Sequence, residues 1–326
     1  MLASVLALCL LSAGSAQAQA YKAPRTSFGA PDLQGLWDND SMTILQRPKG
    51  FKALAATPEE AAAYEAKRLA KYAKVIGDVD PNAPAPEEGE VEDDDRFEKP
   101  RGLARIRGEI RSSQIVSTAD GRLPYTPAAK AAAEKALKDE LVYDDPEGRP
   151  FDERCILGGG GGVAAPITNR DHVQIVQTRD TVVLLGEQNH EARIVRLGAR
   201  HLPPSIRPWM GDSIGWWEGD ALVVETTNLN PSDRWRWNAG EWILLTANAR
   251  IVERFARTAP DEIVYSYAVE DPGAYTQTWR AEMPFHATKA RVFEYACHEG
   301  NYALANILAG GRQADRDAAA TKKETK

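Results

Sequence analysis

From His172 onward the chain is a succession of short runs rich in Val, Ile, Tyr and Trp, broken by turn residues. That spacing limits the folds open to it more than any other feature. The runs are Val173 to Gln177, Thr181 to Glu187, Ala192 to Leu197, Ala221 to Asn228, Ala249 to Arg257, Glu262 to Glu270, Tyr275 to Met283 and Ala290 to His298. The gaps between them leave no room for crossover helices, so the spacing predicts an antiparallel meander. The fold class is mainly β, and about eight strands can close, or nearly close, into a barrel around one small ligand. An open, curved sheet or a sandwich is the alternative.

Alternation along each run assigns faces. Ile263, Tyr265, Tyr267 and Val269 share one side of their run, and Tyr275, Gln277, Trp279 and Met283 share one side of the next. Both sets read as aromatic-rich inner faces. In the last run Val292, Glu294, Ala296 and His298 fall together, so a carboxylate and an imidazole project from one face.

The N-terminal part is different. Residues 1–20 carry no charge, hold an apolar run from Val5 to Leu11 and end in overlapping A-x-A sites, the pattern of an export signal. Export places the mature chain, periplasmic or secreted, where disulfides persist. Cys155 and Cys297 are the cysteines left beyond the leader, so a bridge between them is expected. Residues 21–150 read as a wrapping arm. Thr57-Pro58-Glu59-Glu60 is a capping box opening a helix to about Lys74, and a second helix runs from Pro127 to about Leu141 behind Thr126. Between them the acidic stretch 76–98 reads as a solvated loop. The barrel domain is placed at 151–312 and a disordered tail at 313–326.

Charge narrows the partners. The formal net charge is −7, yet residues 78–98 alone hold ten Asp or Glu against one Arg. The remainder is close to neutral, which argues against nucleic acid as a partner. Beyond the leader no stretch is apolar enough to cross a bilayer as a helix.

A group of motifs carries a resemblance. PDLQGLW at 31–37, QIVQT at 174–178, E-x-x-H-x-x-R at Glu187, His190 and Arg193, WEGDALVVETTN at 217–228 and ERF at 253–255 occur together with DPGAYTQTW at 271–279 and YACHEGNY at 295–302. In this combination the chain resembles a largely uncharacterised family of exported bacterial proteins over nearly its whole mature length. The resemblance implies export and an antiparallel, lipocalin-like β fold.

Candidate chemistry centres on a few residues. His298 with Glu294 is the leading acid/base pair, its bland alternative being a histidine that caps the Gly300-Asn301 turn. Glu187, His190 and Arg193 form a second cluster, with Asp212 in a turn beside Trp209 and Trp216. Arg193 can stabilise developing negative charge or simply pair with Glu187 at a strand end. Trp209, Trp216, Tyr265, Tyr267, Trp279 and Tyr295 are candidate walls of an aromatic or lipophilic pocket. Trp235 and Trp237 sit in a loop, Pro231 to Gly240, read as a lid. His172, His201 and His286 lie beside loop signals and are expected to be exposed. The glycine run Gly158 to Gly162 lacks the lysine of a phosphate loop and reads as a hinge. Neither a nucleophile elbow nor a dinucleotide fingerprint is present, and no dense metal-ligand spacing occurs. The sequence therefore predicts a small-molecule protein without a cofactor or metal. Its first reading is a lyase or isomerase, its second a lipocalin-type carrier, its third a metal-dependent hydrolase using Glu187, His190 and His298.

Overall fold

Nine strands close into a barrel in the computed structural model, which describes residues 21–75, 101–139, 145–149, 153–156, 172–232, 235–238 and 241–324. Residues 1–20, the acidic stretch and the glycine run lie outside the described residues. In chain order the elements are β1 (Gly35–Asp38), α1 (Pro58–Val75), β2 (Arg105–Ile106), β3 (Glu109–Ile110), α2 (Pro127–Asp139), β4 (His172–Gln177), β5 (Thr181–Gly186), β6 (Ala192–Leu197) and β7 (Asp212–Glu218). They continue with β8 (Ala221–Thr227), β9 (Trp235–Asn238), β10 (Glu241–Leu244), β11 (Arg250–Ala259), β12 (Glu262–Glu270), β13 (Trp279–Ala287) and α3 (Ala303–Glu324). Around the barrel the order is β1, β13, β12, β11, β8, β7, β6, β5, β4, with β4 returning to β1.

Closure depends on the arm. β1 pairs with β13 on one side and β4 on the other, so the PDLQGLW segment is a stave of the barrel. Gly35 opens β1 with φ of 140°, a conformation that favours glycine, and Trp37 two residues on is buried in the interior. Trp37 Nε1 donates to the Leu33 carbonyl at 2.9 Å, and Gln177 from β4 both accepts from Leu33 N–H and donates to the Pro31 carbonyl. The Ser113-to-Ser117 stretch lies against β13 through an Ile115 to Ala281 bridge. The capping box is formed, Thr57 N–H donating to Glu60 Oε2 and Glu60 N–H to Thr57 Oγ1. Met42, Ala61, Leu103 and Ile110 make a small core beneath α1, apart from the barrel.

Several expectations are corrected. β6 and β7 pair in parallel, because the Pro203, Pro204 and Pro208 stretch between them cannot form a returning strand and instead crosses back to start β7 beside β6. Asp212 therefore opens a strand. Residues 290–298 are not a strand: both neighbours of β13 are already taken, so no sheet edge is left for them. Glu294, Ala296 and His298 are all exposed on this segment, so the expected strand face with Val292 does not form. Tyr275 precedes β13 in a single bridge to Tyr125, and Gln277 is exposed. Of the stretch read as a lid, Trp235–Asn238 is a strand, β9, which pairs antiparallel with β10. The 313–326 stretch is helical to Glu324, since α3 is rich in alanine and long polar side chains and Asn301 Oδ1 accepts Ala303 N–H at its start.

The interior is filled by side chains. Trp37, Trp279, Tyr265, Phe255 and Phe285 are fully buried. Inward positions on β12 are Ile263, Tyr265, Tyr267 and Val269, as alternation predicts. The parallel seam is tight where it forms: a Cβ on Gly215 would sit 2.7 Å from Val195 Cγ1 and 3.1 Å from the Val223 carbonyl oxygen. Replacing Gly215 by Ala should cost about 1–3 kcal/mol of stability, read from the urea unfolding midpoint. An unchanged midpoint would show that the seam has slack.

Candidate functional site

Two charged groups meet inside the barrel. Arg193 projects inward from β6 and Glu253 inward from β11, at 2% and 0% exposure. Arg193 Nη1 and Nη2 donate to the two Glu253 oxygens at 2.5 and 2.8 Å, a bidentate pair, and Tyr265 O–H donates to Glu253 Oε1 at 2.6 Å. Thr226 Oγ1 lies 3.5 Å from Arg193 Nη1, and Ser213 Oγ bonds Thr226 at 2.8 Å. Burial alone would lower the guanidinium's pKa. The Glu253 carboxylate outweighs it, and the net shift is upward. Burial, then Glu253, raises the Tyr265 hydroxyl well above its ordinary value. Arg193 is not paired with Glu187 as the strand-end reading had it.

On the outer side of the same strands lies a cleft. β6 and β7 pair only at Val195↔Ser213, Arg196↔Ile214 and Leu197↔Gly215. Before that register the 208–211 segment departs from β6 and opens a cleft of about 320 Å³ lined by Arg193, Ile194, Arg196, Trp209, Met210 and Asp212, among others. Ile194 and Trp209 are 49% and 43% exposed at its margin.

Asp212 connects the cleft to a surface relay. Its Oδ1 accepts from Arg196 at 2.6 Å; its Oδ2 accepts from Leu202 N–H at 2.9 Å and lies 2.7 Å from His201 Nδ1. His201 Nε2 is 3.1 Å from Glu225 Oε1, and Arg250 pairs with Glu225. Burial pushes the Asp212 carboxyl up, but Leu202 N–H, His201 and Arg196 together hold it below its ordinary value. His201 is thus a partly buried, doubly bonded side chain and not the exposed one expected. His286 is also half-buried, and burial with Arg101 nearby lowers its pKa.

A third grouping lies at the corner between β5 and β6. Asn189 and His190 both have positive φ, 54° and 52°, a left-handed kink that interrupts the short helical turn at Gln188–His190. This places Glu187 Oε2 to accept Phe293 N–H and His190 Nε2 to accept Tyr295 N–H, both at 3.2 Å. His172 Nδ1 is 3.6 Å from Glu187. These two candidate catalytic groups therefore anchor the backbone of the YACHEGNY segment. The Cys155–Cys297 disulfide ties that segment down a second time, as the sequence predicts.

The remaining candidates are scattered. His298 and Glu294 are exposed on the irregular segment after β13, and Tyr295 beside them is partly exposed. Trp216 lies on the outer wall, its Nε1 donating to Glu218. Tyr265, Tyr267 and Trp279 belong to the packed interior. Among the described residues no group of three His, Cys, Asp or Glu could hold a metal ion. Glu253, Arg196 and Glu225 carried no site role in the sequence reading, and His201 was expected to be exposed. The alternation of Ile251, Glu253 and Phe255 on one face was the available signal for the first of them.

Truncating one partner of the inner pair strands the other. Glu253→Gln should destabilise the protein by about 3–5 kcal/mol, and Tyr265→Phe by about 1.5–3 kcal/mol; chemical denaturation measures both. For Asp212, a folded pKa below the unfolded one means its stabilisation is complete above the ordinary carboxylate range and fades as pH falls through the lowered value. The urea midpoint of Asp212→Asn should therefore converge on that of the wild type at acid pH and separate from it at neutrality. Parallel curves would contradict this.

No family model matches this chain, and no curated protein matches it either.

Proposed function

We propose that this is an exported protein that binds a small, flat, largely apolar molecule in the cleft at the barrel seam. One observation carries the reading: Trp209 and Ile194 stand exposed beside a recess that is also lined by the paired Arg196 and Asp212. A few polar groups set in an apolar margin is the usual composition of a small-molecule site. Export is supported by the leader pattern of residues 1–20, by a disulfide of the kind oxidising compartments maintain, and by the resemblance to exported bacterial proteins. Carriage without turnover fits the described side chains best. Both His201 nitrogens face carboxylates, Glu187 and His190 accept backbone N–H groups, and His298 with Glu294 share no common face.

A second reading, proton-transfer catalysis by a lyase or isomerase, is favoured by Asp212, which lines the cleft and bonds His201. There the Asp212–His201 pair replaces Glu294–His298 as acid and base. Metal-assisted hydrolysis through Glu187, His190 and His298 finds no support in the described donors.

A thermal-shift screen of aromatic and lipophilic compounds on the mature protein tests the first reading. A true ligand at 100 times its Kd adds about 2.7 kcal/mol of stability, and Trp209→Ala should weaken it at least about tenfold, a loss of about 1.4 kcal/mol. Undiminished stabilisation of Trp209→Ala would contradict the cleft. Product analysis on the same compound, with His201→Asn as control, separates carriage from turnover.

A further inference from the structure

We infer that the molecule taken by the seam cleft is a neutral, flat heterocycle with a hydrogen-bond donor beside an acceptor on one edge, as in a lactam, and that this edge pairs with the open backbone of β6. This rests on the cleft reading above and adds the ligand's chemical class.

The polar groups of β6 are divided between its two neighbours, since the N–H and C=O of one strand residue point to one side and those of the next to the other. Leu197 N–H donates to the Asp180 carbonyl and Gly186 N–H to the Glu191 carbonyl, so the odd-numbered residues from 191 to 197 serve β5. Gly198 N–H donates to the Gly215 carbonyl, so the even-numbered residues face β7. The parallel register starts at Val195↔Ser213, and one step earlier on the same side it would set Gly211 opposite Arg193. The chain turns away at that point: Gly211 N–H donates back to the Pro208 carbonyl at 3.0 Å. The two groups that Gly211 would have bonded, the Ala192 carbonyl and the Ile194 N–H, meet no hydrogen-bond partner among the described residues. Both residues line the cleft and are exposed. Arg193 and Ser213 line it too, although their side chains bond inside the barrel, so main chain forms part of its floor.

A sheet edge that ends in a recess therefore offers one acceptor and one donor two residues apart. A hydrocarbon laid over them would take both from water and return nothing, whereas an N–H beside a C=O satisfies both in the plane the sheet would have continued. Arg196 is already matched by Asp212, so the ligand need bring no charge. Ile194, Trp209 and Met210 give apolar and aromatic contact to the ring faces. A volume of about 320 Å³ lies at the small end for ligand sites and suits one or two rings. β6 begins at Ala192, so the open edge is one donor and acceptor pair long and fits a small heterocycle better than the strand of a partner protein.

The experiment titrates three neutral probes of one shape, 2-quinolone, 1-methyl-2-quinolone and naphthalene, against the protein with calorimetric readout. 2-Quinolone should bind at least about tenfold tighter than either of the others, the span expected when hydrogen bonds to two otherwise bare groups are made or lost. Ile194→Pro deletes the one N–H of that edge and none of the bonds to β5, a placement proline tolerates in strands. It should weaken 2-quinolone at least about tenfold, whereas Ile194→Ala, which keeps the N–H, should preserve the ranking of the three. Equal binding of the three probes, or a ranking that survives Ile194→Pro, overturns the inference while leaving the cleft standing. A 2-quinolone affinity untouched by Trp209→Ala places the probe elsewhere and overturns it too. Binding by none of the three also overturns it, and the wider aromatic screen then decides the cleft reading separately. Should Ile194→Pro fail to fold, exchange of the Ile194 amide in the wild type decides: 2-quinolone should slow it at least about tenfold, and no slowing contradicts the pairing.

Discussion

The Arg193–Glu253 pair is the interaction on which the barrel's form depends. Between β6 and β11 the sheet runs through β7 and β8, so these two side chains meet across the interior and link strands that share no backbone hydrogen bonds. Tyr265 extends the link to β12, and Ser213 with Thr226 ties β7 to β8 beneath it. A buried ion pair adds little net stability compared with apolar residues of similar volume, because desolvating both charges offsets their attraction. Its consequence is directional. Arg193 can satisfy Glu253 only if β6 holds one register, since a slip of one residue would turn the guanidinium outward and leave a bare carboxylate inside.

That register matters because the backbone specifies it weakly. The parallel contact between β6 and β7 is short, and Gly215 permits the close approach of Val195 there. Everywhere else the barrel is antiparallel, closed at one end of the sheet order by β1 from the arm. The same shortness leaves the upstream half of β6 without a β7 partner, and the cleft occupies that gap. The structural weak point and the candidate site are therefore one place. The inner ion pair holds together, from behind, the wall against which a ligand would lie.

Much of this was legible in the sequence. Strand runs, the capping box, the inward set on β12 and the Cys155–Cys297 bridge follow from alternation, local capping chemistry and cysteine arithmetic, all of which act over short distances or through simple pairing. The parallel seam was not legible, because the proline-rich 198–211 stretch says only that no strand forms there and not where the chain returns. Residues 290–298 alternate like a strand, yet a strand needs a free edge and the closed barrel offers none. Glu253 entered the sequence reading only as part of the ERF motif; its inward phase, between Ile251 and Phe255, is what marks it as the partner of Arg193. His201 was read from its loop position, whereas its two carboxylate neighbours come from strands that only the fold brings beside it. His298 and Glu294 carried the sequence argument because of a face that the segment does not have.

Amide hydrogen exchange on the protein, with and without a saturating aromatic compound selected by the thermal-shift screen, tests the central claim most directly. Seam binding predicts added protection confined to residues 192–197 and 208–215, with β12 and β13 unchanged. Protection centred on Tyr267 and Trp279, or on residues 290–302, would place the ligand in the interior or under the C-terminal segment and contradict the account.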